Sequence, residues 1–271
     1  MLGAKSTRRQ AIAGLGAAAA AWCCGDHLIT GSASAAPAAP TDSRVDGARS
    51  SLVDVADDLS IHPRSDWGAD LPPKRAMQRE DVRFLLVHHS ATSNDVPDPR
   101  SLIRGIYAFH TSSAKNWPDV AYNFFVAPDG SVWEGRAGSL DGPVTADATG
   151  GNQGYSQLVC LLGNHVHVPP TAAAQAGLTR TLAWMAGRSS LNTYADASTT
   201  FVSRGSNKFP TGQTITTPIV SAHRDVTFTA CPGDAAVALL PDWRRRVHTT
   251  LAATWKTDGL QRADRVRFRA P

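Results

Sequence analysis

FLLVHHS, residues Phe84–Ser90, is an unbroken apolar run closed by two histidines. Four consecutive apolar residues ahead of a polar stop are of strand type. Side chains alternate along a strand, so Phe84, Leu86 and His88 share one face while Leu85, Val87 and His89 share the other. Only one of the paired histidines can therefore point into a given site.

A second stretch tells what that site could be. His223–Gly233 reads HRDVTFTACPG, with a histidine and a cysteine eight positions apart. Its β-branched residues suit a loop that folds back and aims both side chains at one point. Imidazole and thiolate are ligands zinc prefers, and a catalytic zinc uses three protein ligands with one position open for water. His223 and Cys231 supply two, and the candidate for the third is His88 upstream. Two other readings of the same residues exist. A Cys-His hydrolase would use Cys231 as nucleophile and need no metal, so metal content separates the two. A blue-copper carrier also uses two histidines and a cysteine, but it wants an axial methionine beyond them, and the last methionine is Met185.

Outward from these stretches, strands interleave with helices. Asp98-Pro99 is a helix cap followed by a first-turn proline, and Leu102, Ile103, Ile106, Tyr107 and His110 recur at helical spacing. Ala121–Val126 reads as a strand, Pro128-Asp129-Gly130 as a turn and Ser131–Gly135 as the returning arm of a hairpin. QLVCLLG around Cys160 is another buried strand. Thr171–Arg188 is helical, Ser189–Thr217 is a long loop or hairpin excursion, and Ile219–Ala222 is a short strand that delivers His223. Trp243, Val247, Leu251 and Trp255 line one side of a last helix. The expected fold is α/β: a single domain with a central mixed β-sheet flanked by helices and a zinc site in a surface groove.

The 271 residues carry a net charge of +4. Lys5, Arg8, Arg9 and Asp26 leave with residues 1–35, and the +2 that remains holds no dense basic run to suit nucleic acid. Thr7-Arg8-Arg9-Gln10 precedes an Ala/Gly-rich apolar run, and Ala33-Ser34-Ala35 is a small-residue cleavage site. Residues 1–35 thus read as a twin-arginine-like export signal, with no stable membrane insertion once it is removed. Residues 36–60 read as a flexible Ala/Pro/Ser/Asp-rich linker, 61–256 as the folded domain and 257–271 as a basic tail. An exported chain could pair Cys160 with Cys231. Cys160, however, reads as a core strand residue, which leaves Cys231 as a thiolate.

Taken together, FLLVHHSAT, the block Phe109–Arg136, CLLGN and HRDVTFTACPGD resemble the zinc amidase family of peptidoglycan recognition proteins and phage amidase-lysozymes, here as a secreted member of actinobacterial type. The resemblance implies one Zn²⁺ per chain on His88, His223 and Cys231, with Tyr122 and Thr229 as catalytic residues. It puts His110, Trp117 and Arg136 along the substrate groove. It implies hydrolysis of the amide between N-acetylmuramic acid and L-alanine, a peptidoglycan or muropeptide partner, and a monomer; a peptidoglycan-binding module without catalysis is the alternative. Ala121 replaces the family's usual glycine before the tyrosine, and Gln157 and Leu158 replace small residues before CLLGN. Both departures concern the shape of the groove rather than its chemistry.

Overall fold

The structure is a computed structural model and describes residues 52–150 and 154–267. The targeting segment, most of the expected linker and the side chain of Trp255 lie outside the described residues. In chain order the elements are β1 (Val53–Ala56), β2 (Leu59–His62), α1 (Ser65–Gly68), β3 (Phe84–His89), α2 (Pro99–Thr111), β4 (Phe124–Val126) and β5 (Val132–Glu134). There follow β6 (Ser156–Leu161), α3 (Ala172–Arg188), β7 (Ser198–Val202), β8 (Thr214–Pro218), β9 (Val220–Ala222), α4 (His223–Val226), α5 (Asp234–Val237) and α6 (Leu240–Arg267).

Seven strands form one mixed sheet in the order β1-β2-β5-β4-β6-β3-β9. β3 lies between β6 and β9 and is parallel to both. Its alternation divides the protein into two cores. Leu85 and Val87 join Val159 and Leu161 of β6 under Leu178 and Leu182 of α3 and Trp243 and Val247 of α6. Phe84 and Leu86 face the other way, with Leu158, Cys160 and Phe125, against Ile103 and Ile106 of α2. His88 continues this second face one step beyond Leu86.

The helices start where their caps require. Asp98 accepts from the backbone N–H groups of Arg100 (3.0 Å) and Ser101 (3.3 Å), and Pro99 needs no partner in the first turn. Thr171 Oγ1 accepts from Ala174 N (3.0 Å) to open α3. The Ser/Thr-rich excursion after α3 resolves into a separate antiparallel hairpin of β7 and β8. Its Phe201 stacks on Phe84 at 5.1 Å, which anchors the hairpin to the main sheet. At the outer edge of β9, Arg244 Nε of α6 donates to Val220 O (2.9 Å).

Three boundaries differ from expectation. β1 lies inside the stretch read as linker and pairs antiparallel with β2, so the fold begins before Ile61. Its apolar alternation, Val53 and Val55, is only two residues deep and is masked by acidic and small neighbours. α6 runs on to Arg267, through the start of the segment read as a separate tail. β4 is strand only from Phe124, because Asn123 puts its side chain into the ladder: Oδ1 accepts from Leu158 N (2.8 Å) and Nδ2 donates to Val144 O (3.0 Å).

The turn between β4 and β5 presses on α3 through two glycines. Gly130 sits at φ +88°, and a Cβ on Gly177 would stand 2.5 Å from Gly130 O. Glycine to alanine within a helix ordinarily gains about 1 kcal/mol. Here a backbone oxygen occupies the methyl's place, so Gly177→Ala should instead lose about 1–3 kcal/mol in urea denaturation.

Candidate metal centre

β3 and β9 run parallel with Val87 opposite Ala222, so the next residue of β3, His88, stands beside His223, the first residue of α4 after β9. Their rings lie 4.3 Å apart between centroids. β9 turns into α4 at that point because Asp225 Oδ2 accepts from Ala222 N (2.8 Å). The chain then loops back: Arg224 N donates to Cys231 O (3.1 Å), and Cys231 Sγ comes to 3.6 Å from His88 Nδ1. Gly233 (φ +96°) makes the return possible, since a Cβ there would meet the carbonyl carbon and oxygen of His165 at 2.2 Å. One donor atom from each of His88, His223 and Cys231 lies within 4.8 Å of the other two, and all three residues are buried.

The donor set fits a metal ion. Zn–S of about 2.3 Å and Zn–N of about 2.05 Å, held at a tetrahedral angle, imply an N···S edge of roughly 3.6 Å. The Cys231–His88 separation matches it. His223 Nδ1 is buried without a hydrogen-bond partner among the described residues. Burial holds both imidazoles neutral: His88 well below its ordinary value, helped by His223 beside it, and His223 down to about 3. Neutral imidazole is the ligating form. Cys231 Sγ also accepts from His89 N (3.4 Å), a dipole directed at the sulfur. Among the described residues Cys160 and Cys231 form no disulfide, and Cys160 lies in the core as expected from its strand.

The family profile for N-acetylmuramoyl-L-alanine amidase matches residues 78–234, from just ahead of β3 to just past Cys231. The chain belongs to this amidase family. Among its relatives, peptidoglycan recognition protein 1 of Bos taurus is 27% identical over 190 residues, covering 68% of this chain and 84% of the relative. The N-acetylmuramoyl-L-alanine amidase of Homo sapiens is 30% identical over 193 residues, 68% of this chain but 28% of that much longer protein. The crystal structure of Drosophila peptidoglycan recognition protein SD shares the fold with a TM-score of 0.52 and 21% identity, covering 68% of this chain and 94% of that one. Drosophila PGRP-LB gives 0.51 at 22% identity, with coverage of 68% and 93%.

Within this amidase fold, the remaining residues singled out in the sequence fall around the donor cluster. The Tyr122 ring lies 5.1 Å from that of His88. His110, on the last turn of α2, is edge-on to Tyr122 at 5.6 Å and to Trp117 at 4.9 Å. It reaches this place because Ile103, Ile106 and His110 share one helical face. His110 Nδ1 accepts from Ala121 N (3.1 Å), and burial, with Lys115 and Arg136 nearby, pushes its pKa down to about 3. Thr229 is half-buried and its Oγ1 accepts from Cys231 N (3.2 Å). Trp117 is half-buried. Arg136 is almost fully buried, and its guanidinium pairs with Asp147 (2.7 Å), so it braces the wall rather than standing open in a groove.

Sequence reading missed the residues that hold these in place. Asn207, in the β7–β8 turn, clamps the backbone of Phe228 from 21 positions away, and no local signal announces such a pairing. His89, on the opposite face of β3 from His88, accepts from His165 N at Nδ1 (3.1 Å).

Four buried histidines, His88 among them, give the metal-free protein an acid-sensitive fold. His110 and His223 are lowered to about 3 and His165 to about 4, each mainly by burial. The unfolded chain takes up these protons near 6.5 while the folded chain does not. Their contribution is therefore whole above pH 6.5 and is lost as pH falls from there toward 3. The urea midpoint of metal-stripped protein should be lower at pH 5 than at pH 7.5.

Proposed function

We propose that this chain is a zinc-dependent N-acetylmuramoyl-L-alanine amidase. It hydrolyses the amide that joins the lactyl group of N-acetylmuramic acid to the L-alanine of the stem peptide. The observation that carries the reading is the buried, complete donor set of His88, His223 and Cys231 at one end of two parallel strands. A zinc ion on those ligands supplies Lewis acidity and a nucleophilic water at neutral pH, which an unactivated amide needs. The water oxygen joins the lactyl carbonyl carbon, the C–N bond breaks, and the alanine amine leaves with a proton.

The chain's own residues orient and stabilise this exchange. Tyr122, with its ring against His88, positions the carbonyl or the attacking water through its hydroxyl. Thr229 uses Oγ1 to accept from Cys231 N, which leaves its hydroxyl proton for the oxygen that gains negative charge. His110, neutral and buried, supports Tyr122 and, with Trp117, forms the side of the groove. His89 N donates to Cys231 Sγ and favours the thiolate.

Residues 1–35 direct export by the twin-arginine route, on the strength of Thr7–Gln10, and the mature chain works as a monomer on peptidoglycan or its soluble fragments. Among the described residues no helix is long and apolar enough to cross a membrane. Relatives named as recognition proteins favour a second reading, a module that binds peptidoglycan without cutting it. The intact ligand trio supports hydrolysis over binding alone.

Purified peptidoglycan incubated with the zinc-loaded protein should release stem peptides that begin with L-alanine, identified by mass, and chelation should stop their release. Cys231→Ala should lose the metal together with at least about 10³-fold in activity. Tyr122→Phe should keep the metal and lose about 10–100-fold in kcat. Turnover by metal-free Cys231→Ala would sink the scheme, and intact peptidoglycan with protein bound to it would move the assignment to recognition.

A further inference from the structure

We propose that Phe228 is a saccharide-contacting residue that makes this site prefer glycan-bearing substrate over an isolated muramoyl-peptide. The inference rests on the amidase reading above and extends it to the carbohydrate side of the scissile bond. Phe228 is 69% exposed, the most exposed large apolar side chain among the described residues. It stands in the loop that joins His223 to Cys231, three positions before the cysteine, so its Cα is within about 10 Å of that ligand's.

The exposed ring sits on a fixed backbone. Asn207 Oδ1 accepts from Phe228 N (2.7 Å) and Asn207 Nδ2 donates to Phe228 O (3.1 Å). The residues on either side of Asn207 grip the same loop. Ser206 Oγ donates to Val226 O (3.2 Å), and Lys208 Nζ donates to Arg224 O (2.8 Å) and Asp225 O (3.0 Å). An excursion of the chain thus spends three consecutive side chains on holding an aromatic residue out in solvent. Such preorganisation lowers the ordering cost of a contact made there.

The loop that carries Phe228 is linked by contacts to the residues around Tyr122. Arg136 N donates to Tyr122 O (2.9 Å), and the Arg136 guanidinium holds Asp147. Three residues on, Gly150 lies against Thr227 so closely that a Cβ on it would stand 2.6 Å from Thr227 Cβ. Contacts therefore run from Tyr122 through Arg136 and Asp147 to Thr227, the residue next to Phe228. Of the parts of peptidoglycan, the stem peptide near the cut offers small side chains and carboxylates. A pyranose ring offers a flat C–H face with a hydroxyl rim, the shape that matches an aromatic face. Lys208 Nζ lies 6.0 Å from the Phe228 centroid and has three protons, of which two carbonyls take two. The third can meet a sugar hydroxyl at the edge of the ring.

The test uses the full zinc-loaded chain with Phe228→Ala and Phe228→Trp on two substrates: soluble glycan fragments of several disaccharides with stem peptides, and a single N-acetylmuramoyl-peptide. Phe228→Ala should raise KM for the glycan fragments about three- to tenfold with kcat and zinc content unchanged, should leave kcat/KM for the single unit within about twofold, and Phe228→Trp should restore KM. Unchanged KM on the glycan fragments would overturn the proposal. So would an equal loss on both substrates, which would assign the ring to the muramoyl-peptide unit that the two share rather than to the glycan beyond it. If wild type cleaves neither substrate, the amidase reading has failed by itself, and co-sedimentation with insoluble peptidoglycan decides this one: weaker binding by Phe228→Ala supports the contact, and equal binding overturns it.

Discussion

The parallel register of β3 and β9 is the constraint on which the site depends. With Val87 opposite Ala222, the next residue along the chain is a histidine in both segments, His88 within β3 and His223 just past β9, and the two imidazoles are brought together by backbone pairing rather than by side-chain choice. Two neutral bases and a thiol packed at 0–4% exposure are a poor way to fill a core, because their polar atoms lose water without gaining full hydrogen bonding. A bound cation resolves that conflict, and the two cores on either side of β3 provide the rigidity that keeps the conflict in place until it does.

Much of this was legible because it is local or periodic. The alternation in Phe84–His89 told which histidine would share a face with Phe84 and Leu86, and the cap at Asp98 marked where α2 begins. Ile103, Ile106 and His110 follow from helical spacing alone. Where chain-distant pairing decides the outcome, the sequence was silent. β1 became visible only as the partner of β2, Arg136 turned inward only because Asp147 was there to receive it, and Asn207 took its meaning from a loop 21 residues downstream. His88 and Cys231 are themselves 143 positions apart, and a family pattern rather than local chemistry linked them.

The β7–β8 hairpin changes how the metal loop should be regarded. His223–Gly233 is held from within by Asp225, Thr229 and Gly233, and from outside by the turn that carries Ser206, Asn207 and Lys208. The hairpin itself is moored through Phe201 on Phe84, the first residue of the strand that ends in His88. Both ligand-bearing segments are thus tied to one accessory element, so the distance between them is fixed twice.

Arg244 on the outer edge of β9 has a separate consequence. β9 closes the sheet on the metal side, and an open edge there would invite a strand from another molecule. The carbonyl of Val220, which points away from β3, is already taken by a guanidinium that belongs to α6. An incoming chain would have to displace a charged side chain to gain one backbone hydrogen bond. The sheet's outermost edge is thereby kept from becoming a seed for aggregates.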